Sequence, residues 1–379
     1  METLPYLKPQ NLKAGQRALL RLDLNVPMKK GKVTDTFRIE QAIRTLQILQ
    51  KKRMKVIVLS HLGDAQESLG PVVAILAKKI KNISFAPYVI GDRALHAVDS
   101  MKNGDILVLE NLRSQPGEEE NAPSFARGLA RFGDIFIQDG FAVAHRRHAS
   151  IVGLPTFLPS VLGPEFQLEM KGLGQALEPK RPSVLILGGA KFSTKLPILK
   201  KYMKTTDIII LGGAIAHNVV KARGVDVGMS LVDTSVPVPT TITKAENIIV
   251  PIDALTESGE VVDIRHVSMR DKIVDIGPAT VALIAEKVKN AKTVVMNGPL
   301  GLYEDGYVGG TKAVLKHLAI VKGETIVGGG DTVALVRQLK LDKKIDFIST
   351  GGGAMLDYLT NGTLPGLEAV KKSRHTKNN

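Results

Sequence analysis

The stretch Leu187-Gly188-Gly189-Ala190-Lys191-Phe192-Ser193-Thr194-Lys195 decides how the rest of the chain reads. The apolar run Ser183-Val184-Leu185-Ile186-Leu187 leads into it and has the character of a strand buried on both faces, as in a parallel sheet. Two glycines then remove side chains where the backbone must approach something closely. Lys191 and Lys195 lie four apart and share a face if a helix begins here. A strand, a glycine turn and a pair of cations at a helix start suit a polyphosphate. An ordinary strand-to-helix turn with solvated lysines fits the same residues, so the stretch alone leaves both readings open.

Similar runs recur outward from it. Before it they occupy residues 18–24, 56–59, 106–109 and 135–137, with a weaker one at 83–85. With 184–187 come 208–211, 248–250, 293–296, 325–327 and 345–348. Most precede a helix-like stretch, and that alternation predicts an α/β protein with parallel sheets wrapped by helices. Eleven strands are too many for one ordinary twisted sheet, so two doubly wound, Rossmann-like domains are expected. The join falls near residues 161–182, after Pro155 and Pro159. There a helix over 165–177 is stopped by Pro179-Lys180-Arg181-Pro182. The first domain is then 1–160 and the second 183–360, with Asn361-Gly362-Thr363-Leu364-Pro365-Gly366 marking a further break.

Composition narrows the chemistry. The chain has 379 residues, 44% hydrophobic and 23% charged, which is ordinary for a globular protein of two domains. It has no cysteine, which excludes disulfides, thiolate catalysis and Cys-type zinc sites. Met1-Glu2-Thr3-Leu4-Pro5 does not read as a signal peptide, and no apolar run could span a bilayer, so a cytoplasmic protein is expected. The formal charge of +14, part of it in the tail 371–377, suits anionic partners. Aromatics are only 4% and no nucleic-acid-binding motif occurs, so no specific nucleic acid and no membrane partner is expected.

In open α/β sheets, ligands sit beyond the carboxyl ends of the strands. In the first half those ends carry Asp23-Leu24-Asn25, Ser60-His61-Leu62-Gly63, Glu110-Asn111-Leu112-Arg113 and His145-Arg146-Arg147-His148. Arginine forks suit phosphate and carboxylate, although surface ion pairs are their commoner fate. The second half offers Gly188-Gly189, Gly212-Gly213, Asn297-Gly298-Pro299, Gly328-Gly329-Gly330-Asp331-Thr332 and Gly351-Gly352-Gly353. Bare backbone N–H groups at helix starts suit phosphate there. Asp331 could cap its helix or hold Mg²⁺. Neither the P-loop signature nor Gly-x-Gly-x-x-Gly is present, which counts against P-loop enzymes and dinucleotide oxidoreductases.

These stretches, with Arg21-Leu22-Asp23-Leu24-Asn25-Val26-Pro27, Asp275-Ile276-Gly277-Pro278 and Ser349–Ala354, occur in the order seen in the phosphoglycerate kinase family. Over roughly residues 17–368 the chain resembles that family. The resemblance implies reversible phosphoryl transfer between ATP and the carboxylate of 3-phosphoglycerate, with Mg²⁺ as cofactor and hinge closure between domains. It implies a monomer whose segment 361–379 returns to the first domain. It assigns Asp23, Asn25, Arg38, His61, Asp64, Arg113 and Arg146 to the acid substrate. It assigns Gly189, Lys191, Lys195, Gly213, Gly277, Asn297, Glu304, Gly329, Gly330, Asp331 and Thr332 to the nucleotide. Glu304 falls on the ribose and Asp331 on the metal, while Arg38, Lys191, Gly330 and Gly353 serve the transferring group. The chain departs from the family pattern at four places. Asp64 stands for an arginine, Thr194 for an aspartate, Gly140-Phe141-Ala142 for Ala-Phe-Gly, and Met296 for a tryptophan. Asp64 and Thr194 are the features that favour a non-catalytic phosphate-binding protein on the same fold, while Arg38 and Lys191 favour an active kinase.

Overall fold

The computed structural model describes residues 4–373, so residues 374–377 of the basic tail lie outside it. The chain forms two compact units. One runs to Met170 and resumes at Thr363, and the other spans Lys171–Gly362.

The first unit is built on a six-stranded parallel sheet. Its strands are β1 (Arg17–Arg21), β4 (Lys55–Leu59), β5 (Ile83–Ala86), β6 (Ile106–Leu109), β7 (Ile135–Gln138) and β8 (Ser160–Leu162), in the order β5-β6-β4-β1-β7-β8. A short hairpin, β2 (Met28–Lys29) and β3 (Lys32–Val33), follows the loop after β1. Leu20, Val58, Val108 and Ile137 are buried side by side, so the core lies on the sheet. Thr363 onward joins this unit through the helix Pro365–Lys371, whose Gly366 N–H donates to the Ala144 carbonyl at 2.8 Å.

The second unit carries β9 (Ser183–Leu187), β10 (Ile208–Leu211), β11 (Ile248–Ile249), β15 (Thr293–Asn297), β16 (Glu324–Gly328) and β17 (Phe347–Ser349). Their order is β11-β10-β9-β15-β16-β17, all parallel. This is the doubly wound order in which the chain reverses direction between β9 and β15, the place where such sheets leave a crevice. All five residues of β9 and all five of β15 are buried, as their apolar runs require. Met296 is among them and packs into the core.

The structure extends the expected strand set. The short β8 lies between prolines where only a join was expected. An antiparallel sheet, β12 (Asp253–Thr256), β13 (Val261–Asp263) and β14 (Ile273–Ile276), has order β13-β12-β14. It was not expected because carboxylates interrupt its apolar pattern: Asp253 and Asp275 are buried helix caps. The 18–24 run stops being strand at Arg21, and β17 starts at Phe347 because Ile345 still closes a turn onto Leu341. The helix expected over 165–177 begins at Pro164, where proline fills a position that needs no N–H donor. It starts in the first unit and ends in the second.

Candidate functional site

In the first unit the strand ends gather a basic cluster. Arg38, on the helix Phe37–Lys51, lies 3.1 Å from Asp23 and donates to the Asn25 carbonyl at 2.7 Å. Asn25 in turn accepts from the Gly63 N–H at 2.8 Å, which joins the loop after β1 to the loop after β4. Arg113 donates to the Gly63 carbonyl and pairs with Glu119 at 3.1 Å, so it already has an ion-pair partner. Arg146 is half-buried, and burial first and Arg113 second lower its pKa.

His61 is the most confined member, 2% exposed. Burial first, then Arg21, Arg113, Arg146 and Arg38, holds its imidazole far below the ordinary histidine value, so it is neutral. Its Nε2 has no hydrogen-bond partner among the described residues. An unpaired buried polar group costs about 1–3 kcal/mol, an expense that a bound anion would relieve.

Two residues of the Glu110–Arg113 motif, to which sequence reasoning gave no role of their own, hold this loop. Asn111 is fully buried and its Nδ2 lies within 2.8 Å of the carbonyls of Leu62, Asp64 and Glu67. Glu110 accepts from Ser68 Oγ at 2.8 Å and from the Leu69 N–H at 2.9 Å. Polar residues immediately after a buried strand were the available signal.

Asp64 is exposed, and its carboxylate accepts from the Gln66 N–H at 3.0 Å, closing a local turn. No ion pair joins it to Arg113 or Arg146 among the described residues. A carboxylate near an anionic substrate repels it, by roughly 1 kcal/mol at about 8 Å and a dielectric near 40. We therefore expect Asp64→Arg to tighten the binding of a phosphorylated acid to this cluster several-fold, and more at low salt than at high salt. Nucleotide binding should hold. Measuring both at two ionic strengths checks this, and unchanged binding of the acid removes Asp64 from the cluster.

In the second unit, β9 ends at the crossing of two glycine loops. Gly189 has φ +119° and Gly213 has φ +60°, both in the region that favours glycine. The Gly213 N–H donates to the Leu300 carbonyl at 2.9 Å, and the Gly189 carbonyl accepts from the Ile215 N–H at 3.2 Å.

Lys191 does not share a helix face with Lys195. It is the N-cap of the helix Phe192–Thr205, with extended backbone, and its side chain is exposed. Lys195 is one turn in, and its Nζ donates to Asn297 Oδ1 at 2.7 Å. Asn297 is 2% exposed, so it serves Lys195 from behind. Thr194 Oγ1 donates to the Lys191 carbonyl at 2.9 Å. Asp233 accepts from Ser193 N–H at 2.9 Å and Oγ at 2.8 Å, an anchor for this helix start that sequence reading did not find.

Burial pushes the Lys195 ammonium down to about 8. Only the cation can bind phosphate, so if a nucleotide phosphate sits on Lys195 its affinity should fall as pH rises through about 8. The unfolded chain keeps this proton up to about 10.4. The folded state therefore binds fewer protons between those values, and this group makes stability rise with pH across that window. Calorimetric nucleotide titrations from about pH 7 to 9.5, compared with Lys195→Met, check the first point; a parent as pH-insensitive as the variant excludes Lys195.

Gly329 is the N-cap of the helix Gly330–Gln338 with φ +96°, and Gly352 is the N-cap of Gly353–Asn361 with φ +50°. Space for a Cβ is open at Gly330 and Gly352. Asp331 lies in the first turn, where burial first and Glu304 second raise its carboxyl above the usual range. Thr332 is fully buried with its hydroxyl unpaired among the described residues. Gly277 is explained from behind, since a Cβ there would meet Asp253 at 2.3 Å. A cavity beside Gly213 is lined by His217, Pro251, Ile276, Leu300 and Leu302. The antiparallel sheet supplies part of that wall, which the strand pattern did not reveal.

Two doubly wound units, one with arginines and a neutral histidine at its strand ends and the other with lysines and helix-start glycines, define a phosphate-handling α/β protein of the phosphotransferase kind. The phosphoglycerate kinase family model matches residues 10–362, and the chain belongs to that family. It is 42% identical over 385 residues to a phosphoglycerate kinase of Chelativorans sp., covering 95% of this chain and 97% of the relative. It is 39% identical over 383 residues to one of Pseudothermotoga lettingae, covering 94% and 96%. The solved phosphoglycerate kinase of Coxiella burnetii superposes with a TM-score of 0.81 at 32% identity, over 97% of this chain and 99% of that one. That of Pyrococcus horikoshii gives 0.84 at 26% identity, over 95% and 96%.

Proposed function

We propose that this chain transfers a phosphoryl group reversibly between ATP and the carboxylate of 3-phosphoglycerate, the step 1,3-bisphosphoglycerate + ADP = 3-phosphoglycerate + ATP of glycolysis and gluconeogenesis. The observation that carries the reading is the pairing of a buried, neutral His61 donor within an arginine cluster on one unit with a lysine–glycine strand edge on the other. Asp23, Asn25, Arg38, His61, Arg113 and Arg146 bind the acid, with Asp64 at the rim. Gly189, Lys191, Lys195, Gly213, Glu304, Gly329 and Gly330 bind the nucleotide, with Asn297, Gly277 and Thr332 supporting them. A carboxylate nucleophile is already ionised, so no general base is needed. Positioning and charge neutralisation supply the acceleration. Arg38 and Lys191 neutralise the transferring group, and the N–H groups of Gly330 and Gly353 bind its oxygens. Direct in-line transfer requires closure about the hinge helix, which also excludes water. A coupled assay with ATP, Mg²⁺ and 3-phosphoglycerate tests the reading; absence of turnover refutes it.

The residues present fit Mg²⁺ held by one carboxylate and the polyphosphate. Asp331 is a half-buried anion beside Glu304, with no described group of three or more carboxylates and histidines that would hold a metal unaided. When bound, the ion neutralises phosphate charge. Asp331→Asn is expected to weaken Mg-nucleotide binding about tenfold while sparing metal-free nucleotide, the scale of one lost charge-assisted contact. Paired calorimetric titrations check this, and equal weakening in both would make Asp331 a helix cap. No described helix is long and apolar enough to cross a membrane. We read the enzyme as a cytoplasmic monomer, a reading that sedimentation and cell fractionation test.

A further inference from the structure

We infer that Arg21 is a positioning residue: it holds His61 in the tautomer that carries its proton on Nε2, so that His61 meets the acid substrate as a neutral hydrogen-bond donor. The inference rests on the assignment of His61 to the acid site.

Arg21 closes β1 and is 1% exposed. Its Nε donates to Ser150 Oγ at 2.9 Å, its Nη1 to the Leu22 carbonyl, and its Nη2 lies 3.4 Å from His61 Nδ1. A guanidinium has donors only. Nδ1 must therefore present its lone pair, and the one proton of the neutral ring sits on Nε2. That atom is the one with no partner among the described residues. A second proton would set an Nδ1–H against the Nη2–H of Arg21. The charged groups acting on the ring are Arg21, Arg113, Arg146 and Arg38, and all four disfavour it.

The guanidinium is itself held in place. Ser150 Oγ donates to Glu118 Oε1 at 2.6 Å and the Ser150 N–H donates to Oε2 at 2.9 Å, which turns a hydroxyl lone pair toward Arg21. Glu118 is 1% exposed and His148 lies 3.9 Å from it. A buried chain Glu118–Ser150–Arg21–His61 thus fixes which ring nitrogen faces the substrate.

Nitrogen-15 NMR of the His61 ring in the full chain tests this. The parent should show the Nε2–H tautomer without titration between about pH 5.5 and 8.5. An Nδ1–H tautomer or an imidazolium in that range overturns the inference. In Arg21→Met the ring should become a mixture of tautomers and begin to titrate. The KM for 3-phosphoglycerate should then rise about tenfold, the scale of one lost hydrogen bond to a charged group, with kcat and the KM for ATP changed much less. Arg21→Lys, which keeps a donor and a charge, should recover part of both the tautomer bias and the KM. An unchanged tautomer ratio in Arg21→Met overturns the role of Arg21. If that variant does not fold, Arg21→Lys decides in its place: a tautomer ratio and KM identical to the parent's overturn the need for the guanidinium. A locked Nε2–H that does not respond to added 3-phosphoglycerate overturns the use of His61 in the acid site, while the kinase assay tests the activity itself independently.

Discussion

Lys191→Ala is expected to lower kcat by about 10²–10³-fold, the scale of a lost preorganised transition-state donor. The KM values for both substrates should move only a few-fold. The expectation follows from where the lysine sits. Its backbone is fixed at the N-cap of the helix Phe192–Thr205, which Asp233 anchors through Ser193. Its side chain is exposed and has no ion-pair partner among the described residues, so its charge is available to a ligand. Lys195 differs on each count, being largely buried and bonded to Asn297. On the proposed reading, Lys195 therefore binds the resident polyphosphate, and Lys191 is the one free to follow the group in transit. Steady-state kinetics separate the two roles. A normal kcat in Lys191→Ala would defeat the assignment, and a raised KM for ATP with normal kcat would make Lys191 a second ground-state contact.

Much of the fold was legible because the middle of a strand buried on both faces must be apolar, as residues 184–187 and 294–296 are. The same rule hid β14. Its Asp275 is buried because it accepts from the N–H groups of Ile276 and Gly310, and a carboxylate inside a short apolar run reads as a loop. The two-residue strands β2 and β3 carry too little pattern for periodicity to register.

The site was legible at the level of which loops converge, since the strand ends of a doubly wound sheet share one edge. What a residue touches there was not. Asn111 was visible in its motif but gave no sign of being the tie that holds the 62–67 turn. Asn297 was read as a nucleotide contact, and nothing in its motif showed that its amide also meets Lys195 and Met355. For Arg113 the sequence left a phosphate contact and a surface ion pair both open, and could not name Glu119 as its partner. Partnership depends on side-chain geometry across distant segments, which motif order does not encode. The doubt attached to Thr194 has the same origin, because the group that anchors this helix start, Asp233, lies 40 residues further along the chain.

Gly188→Ala should be the most damaging single methyl in the second unit. A Cβ at this position would lie 2.0 Å from the Pro299 carbonyl oxygen, 2.6 Å from its carbon and 2.8 Å from the Gly298 oxygen. All three are backbone atoms, so no flexible side chain can swing away. The contact is reciprocal, since a Cβ at Gly298 would meet the Gly188 oxygen at 2.4 Å. The two loops are also tied, with the Gly188 N–H donating to the Asn297 carbonyl at 2.9 Å. Relief needs a separation of roughly 1 Å in a close-packed region. The expected cost is about 3 kcal/mol or more. For a unit of this size that lowers Tm by roughly 6–12 °C. Function should suffer further, because Lys195 stands on the β9 side of this crossing and Asn297 on the β15 side. Displacing reacting groups by about 1 Å can cost 10²-fold in rate. Gly174→Ala is the matched control: nothing lies within 4 Å of a Cβ there. In a helix interior that change should be neutral or stabilising by up to about 1 kcal/mol. Calorimetric melting and steady-state ATP kinetics on both variants decide the matter. If Gly188→Ala melts with the parent and keeps its kcat, the loops beyond β9 and β15 do not cross as tightly as described, and the positioning of Lys195 through Asn297 loses its foundation.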